Sequence, residues 1–312
     1  MNRKNIVLII TSLILILLIS LGAYFQNKKT QNSSFLLKDI KLGMINQQSK
    51  EVLYTNDFLK GDEFLISFKN PDQKLSLKLI LLDYNNPRDI PLSDTSIHAG
   101  DNEICCFDAP KETGQYGLKF ILDSQETTIP FEVKDRLVEY QDFNLRGIGS
   151  IPYPNWQTLD PGVINNLLTD VFSYYSKDLG KGVSTLLVLQ DEAGAQFSIT
   201  QRVVSNYKNL PFGNLVQTIE ENENKALLKA RIIDDYTILN KQYGDKEIYL
   251  KIRNISRGIS YVVFNKTYLE KNFLNKRFLL SISLTCPERL VDFYQPVADY
   301  IFSNIKLTPL EI

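Results

Sequence analysis

The sequence predicts an α+β protein: an N-terminal transmembrane helix, an antiparallel β-sandwich domain, then an antiparallel sheet flanked by helices. Three observations carry that expectation. Residues 6–25 form an apolar run without charge or proline, its only polar groups the hydroxyls of Thr11, Ser12, Ser20 and Tyr24. Residues 35–135 alternate apolar and polar side chains with period two and show no helical period. Beyond residue 145 the pattern switches between strand and helix periods, and it closes on an amphipathic stretch over residues 288–305.

The apolar run is read as a membrane anchor. Roughly twenty helical residues cross the ~30 Å hydrocarbon layer of a bilayer. Arg3 and Lys4 precede the run, Tyr24 and Phe25 stand where interfacial aromatics stand, and Lys28 and Lys29 close it. A charged start and an apolar middle also describe a cleavable signal peptide, and Ser20-Leu-Gly22 offers small residues for cleavage, though not in the preferred Ala-x-Ala pattern. The uncleaved anchor is the reading adopted. Its position gives a cytoplasmic tail at residues 1–5, the transmembrane anchor at 6–25 and a polar tether at 26–34. The expected location is therefore a single-pass membrane protein with its C-terminal body outside the cytoplasm. The basic residues on the two flanks balance, and long domains cross largely regardless of local charge.

Composition narrows the function classes. The chain of 312 residues carries 35 basic and 36 acidic side chains, a net charge of −1, so no basic face is expected to hold nucleic acid. There are three cysteines, Cys105, Cys106 and Cys286. Neighbouring residues on a strand point to opposite faces, so Cys105 and Cys106 are poorly placed to bond each other. All three are expected to be free, small apolar residues.

The first folded region spans residues 35–135. Phe64, Ile66 and Phe68 share one strand face, as do Leu75, Leu77, Leu79 and Leu81, then Tyr116, Leu118, Phe120 and Leu122, then Ile129, Phe131 and Val133. Turn signals separate them at Lys60-Gly-Asp62, Asn70-Pro-Asp72, Asn85-Asn-Pro87 and Ala99-Gly-Asp101. Strands at such spacing argue for a sandwich. His98 is the single histidine and lies beside a turn, without companions at metal-ligand spacing. The segment Glu112-Thr-Gly-Gln-Tyr116 resembles the tyrosine corner of immunoglobulin-like β-sandwiches, although no strand cysteine pair or core tryptophan accompanies it. That resemblance implies an interaction or spacer module without shared chemistry.

Residues 136–144 read as a hinge and 145–312 as the second domain. Arg146-Gly-Ile-Gly-Ser-Ile-Pro-Tyr-Pro-Asn-Trp156 is a strand running into a turn stiffened by Pro152 and Pro154, after which Trp156 folds onto the core. Gly147-Ile-Gly149 lacks the third glycine of a nucleotide loop. Asp160-Pro-Gly162 starts a helix with Val163, Leu167 and Val171 along one face. Strands follow at 185–189 and 197–204, and a helical stretch lies within 214–239. Further strands are expected at 238–243, 247–253, 259–264 and 278–285, and a final helix buries Leu290, Phe293, Tyr294, Val297, Tyr300, Ile301 and Phe302.

The Ile151-Pro-Tyr-Pro154 turn into Trp156, the Glu247–Arg253 strand leading through Gly258 to Tyr261-Val-Val-Phe264, and Leu280-Ser-Ile-Ser-Leu-Thr-Cys-Pro287 feeding a helix that ends Ile301-Phe-Ser-Asn-Ile-Lys306 together resemble the PsbP-like α/β family (the Mog1, PsbP and DcrB group). The resemblance implies an antiparallel sheet flanked by helices. It also implies an exported or lumenal accessory protein that binds a larger assembly, with no family catalytic set to transfer.

The leading functional expectation is a membrane-anchored, extracytoplasmic accessory or interaction protein that presents its second domain to a protein partner in the cell envelope. It is not expected to be an enzyme, and no cofactor or metal is expected. A small-ligand-binding envelope protein is the first alternative, with Tyr153, Trp156, Tyr261 and Tyr294 as candidate cleft residues; core packing is the competing use of each. An envelope hydrolase is the second alternative. It has only His98 for a triad, and the adjacent pairs Asp191-Glu192 and Asp234-Asp235 read as solvated turns.

Overall fold

The computed structural model describes residues 37–45, 51–71, 75–122, 125–175, 182–204, 211–271 and 277–308. The tail, the apolar run and the tether expected at 1–5, 6–25 and 26–34 lie outside these. No helix among the described residues is long and apolar enough to cross a membrane.

The expected α+β class is corrected. Among the described residues, nineteen strands in four sheets stand against three α-helices, so the chain is mainly β. The helical stretch expected within 214–239 covers Phe212–Lys229. It stops at a left-handed residue, Arg231 at φ 55°. The Arg231 N–H donates to the Leu228 carbonyl at 3.0 Å and the Ile232 N–H to the Leu227 carbonyl at 2.9 Å. This Schellman stop satisfies the terminal carbonyls and releases the chain into a strand.

The first nine strands are β1 (Lys38–Ile45), β2 (Val52–Tyr54), β3 (Asp57–Leu59), β4 (Glu63–Asn70), β5 (Leu75–Asp83), β6 (Arg88–Ile97), β7 (Gly100–Asp108), β8 (Gly114–Leu122) and β9 (Gln125–Lys134). They form a four-stranded sheet, β2-β1-β4-β7, and a five-stranded sheet, β3-β9-β8-β5-β6. All pairings are antiparallel except β3 with β9. Leu42, Phe64, Ile66 and Phe68 from one sheet share a core with Leu77, Leu79, Leu118, Phe120 and Phe131 from the other, as period-two alternation requires. The Tyr116 hydroxyl donates to the Glu112 carbonyl at 3.0 Å, which ties the turn before β8 to the strand it opens.

The cysteine expectation is corrected in part. Cys105 and Cys106, both exposed on β7, are joined by a disulfide, and their Cα atoms lie 3.1 Å apart across a cis peptide. The opposite-face argument assumed a trans bond. Cys286 is free and buried, and burial pushes its thiol up to about 12.

The second region contains β10 (Tyr140–Leu145), β11 (Gly149–Pro154), β12 (Gln157–Thr158), helix α1 (Pro161–Tyr175), β13 (Val183–Gln190), β14 (Gln196–Val203), helix α2 (Phe212–Lys229), β15 (Asp235–Tyr243), β16 (Glu247–Ser256), β17 (Ile259–Lys271), β18 (Arg277–Pro287), helix α3 (Val291–Ser303) and β19 (Lys306–Leu307). Strand β10 begins inside the segment read as a hinge. The main sheet runs β12-β13-β14-β18-β17-β16-β15, and β10-β11-β19 form a small companion sheet. Helix α3 packs Tyr294, Val297, Ala298 and Ile301 onto one face of the main sheet, against Phe197, Ile199, Phe264, Leu280, Ile282 and Leu284. Phe293 is only partly buried and Tyr300 is exposed, at the margin of the expected face.

Helices α1 and α2 cover the opposite face. Helix α2 buries Leu215, Val216 and Ile219 on Ile248, Leu250 and Ile252. Helix α1 turns Leu168, Val171 and Phe172 inward, while Val163 and Leu167, expected on the buried side, face solvent. The Asp160 carboxylate accepts the Gly162 N–H at 2.8 Å at the start of α1. That side chain fixes where the helix begins, not which face packs.

Candidate ligand site

Strand β18 lies at the centre of the main sheet with helices on both sides, so both of its faces are expected to be apolar. One is: Leu280, Ile282, Leu284 and Cys286 are buried under α3. The other carries Ser281, Ser283 and Thr285. Strand register extends this polarity sideways. Ser283 pairs with Ser198 on β14 and with Asn265 on β17, while Ser281 pairs with Thr200 and with Thr267. Paired residues face the same side, so two rows of three polar side chains form a grid across the middle of the sheet.

The grid is internally bonded. The Asn265 amide donates to Ser283 Oγ at 2.7 Å, the Thr267 hydroxyl donates to Asn265 Oδ1 at 2.8 Å, and Thr267 and Ser281 share a 2.8 Å hydroxyl contact. Ser198, Thr200, Asn265, Ser281 and Ser283 nevertheless remain partly accessible. They floor a cavity of about 320 Å³ between α1, α2 and the sheet. Leu168 and Phe172 line it from α1; Val216, Ile219 and Leu227 line it from α2. Helix α1 leans on β13 and α2 on β16, and the gap between them stands over the central strands.

Charge is arranged at the helix side. The buried Arg202 guanidinium pairs with Glu223 and sits 5.5 Å from the centre of the Phe172 ring. Burial pushes the Glu223 carboxyl up, and Arg202 pulls it back. Glu220 lies one turn earlier on α2. Burial pushes its carboxyl from 4.5 to about 7, against the pull of Lys241. Asn254, which lines the cavity from β16, keeps Oδ1 without a partner among the described residues.

The aromatic residues expected to line a cleft are scattered. Trp156 and Tyr294 meet edge to face at 5.9 Å, on the opposite side of the sheet from the grid. Tyr294 is fully buried and donates its hydroxyl to the Asp191 carboxylate. Burial lifts that carboxyl to about 6, while the Ala195 N–H and Arg136 work the other way. Asp191 is thus a half-buried acceptor held by Tyr294 and the Ala195 N–H rather than a fully solvated turn residue. Trp156, Asp191, Arg136 and Phe293 border a separate depression of about 400 Å³. Tyr261 borders another, with Glu63 and Arg289. Tyr153 caps the β10–β11 hairpin, donating to Gln141 Oε1 at 2.6 Å. The sequence reading missed the grid. Its signal was present in Ser198-Ile-Thr200 and Ser281-Ile-Ser-Leu-Thr285, where hydroxyls alternate with apolar residues in central strands, and in Asn265-Lys-Thr267 beside them.

No family model and no curated protein matches the chain. Among solved structures it is similar to cyanobacterial PsbP (CyanoP) from Synechocystis, at 14% identity and a TM-score of 0.38, over 55% of this chain and 95% of that one. It is similar to LpqN, involved in cell envelope biogenesis of Mycobacterium tuberculosis, at 12% identity and a TM-score of 0.30, over 41% and 80%. It is also similar to PA94 from Pseudomonas aeruginosa, a protein of unknown function described as a regulator candidate, at 10% identity and a TM-score of 0.30, over 55% and 99%. At these scores no residue role passes to this chain.

Proposed function

We propose that the chain is a non-catalytic accessory protein of the cell envelope that binds a small polar molecule over the centre of its main sheet. The apolar run at residues 6–25 holds it at a membrane, and its body faces away from the cytoplasm and engages a protein partner. The observation that carries the ligand reading is the polar face of β18. A central strand covered by helices is most stable with apolar residues on both faces, and polar groups are kept there at a cost unless something uses them. The non-catalytic reading is supported by the fate of the two carboxylates beside the cavity. Hydrolysis by a carboxylate pair needs two groups free to act, and Glu223 is held by Arg202.

A thermal-shift screen of the full chain against small polar metabolites tests the ligand reading. At least one compound is expected to raise the melting temperature of the wild type but not of the Thr200→Val/Ser281→Val double variant. Equal responses, or none, sink it. Protease added to whole cells is expected to remove the body; survival until the cells are permeabilised overturns the location. Crosslinking through residues 145–307 in intact membranes is expected to capture one recurring protein, and capture of none would count against a partner.

A further inference from the structure

The chemistry of the cavity also bears on which molecules fit it, and this inference rests on the ligand-binding reading above. We propose that the ligand is an uncharged polyol of single-sugar-ring size.

The floor is the first argument. It is built from hydroxyls and one carboxamide, each able to donate and to accept a hydrogen bond. A set of neutral, two-way partners matches a molecule whose own groups are neutral hydroxyls. An anion instead selects guanidinium, ammonium or converging backbone N–H groups. The single guanidinium at the site, Arg202, is already paired with Glu223.

Spacing is the second argument. Adjacent strands lie roughly 4.8 Å apart and alternate residues on a strand roughly 6.8 Å apart. A grid of three strands by two rows therefore spans roughly 10 by 7 Å, the footprint of one ring with its hydroxyls. A cavity of about 320 Å³ sits at the small end of the range for ligand sites.

The floor and the roof of the cavity differ in polarity. Phe172, Leu168, Val216 and Ile219 oppose the polar floor with an apolar wall. A sugar ring has the same two-sided character, with C–H groups on one face and hydroxyls at its rim. A fatty chain has no use for the floor. A compact inorganic ion has no use for the roof. Glu220 on the helix side, its carboxyl raised by burial, can exchange hydrogen bonds with ligand hydroxyls.

The test uses the full chain in detergent micelles, followed by saturation-transfer NMR and calorimetric titration. The probes are glucose, mannose and N-acetylglucosamine, set against glucuronate, inorganic phosphate, choline and decanoate. At least one uncharged sugar is expected to bind, and Ser281→Ala/Ser283→Ala is expected to weaken it at least about tenfold, because the deleted hydroxyls leave ligand groups unpaired. Thr200→Ser keeps the hydroxyl and is expected to keep the affinity, which separates lost bonding from lost fold. Binding of glucuronate, phosphate, choline or decanoate in place of the sugars, weakened by the same alanine substitutions, overturns the ligand class but leaves the ligand reading standing. Sugar binding unchanged in the alanine variant overturns this placement. Binding of no probe overturns the ligand class, and the metabolite screen then decides the broader reading separately.

Discussion

Arg289 Nε lies 3.3 Å from Glu63 Oε1, and the pair links β4, which packs into the sandwich core, to the turn before α3, which packs into the core of the second region. The same guanidinium donates to the Gly61 carbonyl and lies 3.5 Å from the Asp108 carboxylate. Lys111 meets Asp292 at 2.8 Å nearby. Gly61 makes room for this contact: a Cβ there would fall 2.4 Å from the Leu290 side chain. Replacing Arg289 with Ala removes several charge-assisted contacts at once and is expected to cost about 1–2 kcal/mol. Differential scanning calorimetry is expected to show one transition broadening or splitting into two. An unchanged single transition would mean that the arginine does not couple the cores.

Tyr116→Phe isolates one hydroxyl. The ring stays stacked on Phe131 with centroids 5.7 Å apart, and the hydroxyl's bond to the Glu112 carbonyl and its contact with Asn85 are lost. A loss of about 1 kcal/mol in urea denaturation is expected, with no change in slope.

Glu220 provides a pH signature. Burial raises its folded pKa from 4.5 to about 7, so between those values the folded state holds more protons than the unfolded one. Its contribution to stability is therefore present at low pH and is lost as pH rises through about 7. Glu220→Gln removes that loss. Comparing wild type and variant from pH 5 to 8, the variant is expected to gain relative stability as pH rises, and a constant difference would exclude the shift.

Arg202 and Glu223 are best tested as a cycle. Arg202→Met alone leaves a carboxylate among apolar side chains and is expected to cost about 3 kcal/mol. Adding Glu223→Leu removes the unpaired charge and is expected to restore most of the loss. Additive losses in the double variant would show that the two side chains act independently.

Strand content was legible in the sequence wherever one face is apolar and the other polar. That covers the sandwich, where Leu77, Leu79, Leu118 and Phe120 fall into one core. It also covers the final helix, whose buried side holds Tyr294, Val297 and Ile301. Aromatic residues were a poor guide to the site, because Tyr294 and Trp156 fill the α3 side of the sheet, where large apolar surface has most to gain by burial. The grid residues are small and polar, and alone on a strand they look like the solvent face of a one-sided sheet. Only the position of β18 in the middle of the sheet, with α1 and α2 flanking that face, shows that their face is indoors. The orientation of α1 was misread for a related reason. Its apolar residues Val163, Leu167, Leu168 and Phe172 ring much of the helix, so periodicity alone offered two faces. The disulfide at Cys105 and Cys106 depends on a local peptide geometry that side-chain patterning does not encode.

Strand β18 joins β14 to β17 at the middle of the main sheet yet is the last long strand of the chain. During synthesis, β14 and β17 are without a neighbour between them until residues 277–287 leave the ribosome. The sandwich, whose strands all precede residue 135, has by then had the length of the second region in which to form. A ribosome stalled before Arg277 would leave two long unpaired edges exposed, and such a fragment is a natural target for chaperones and for self-association.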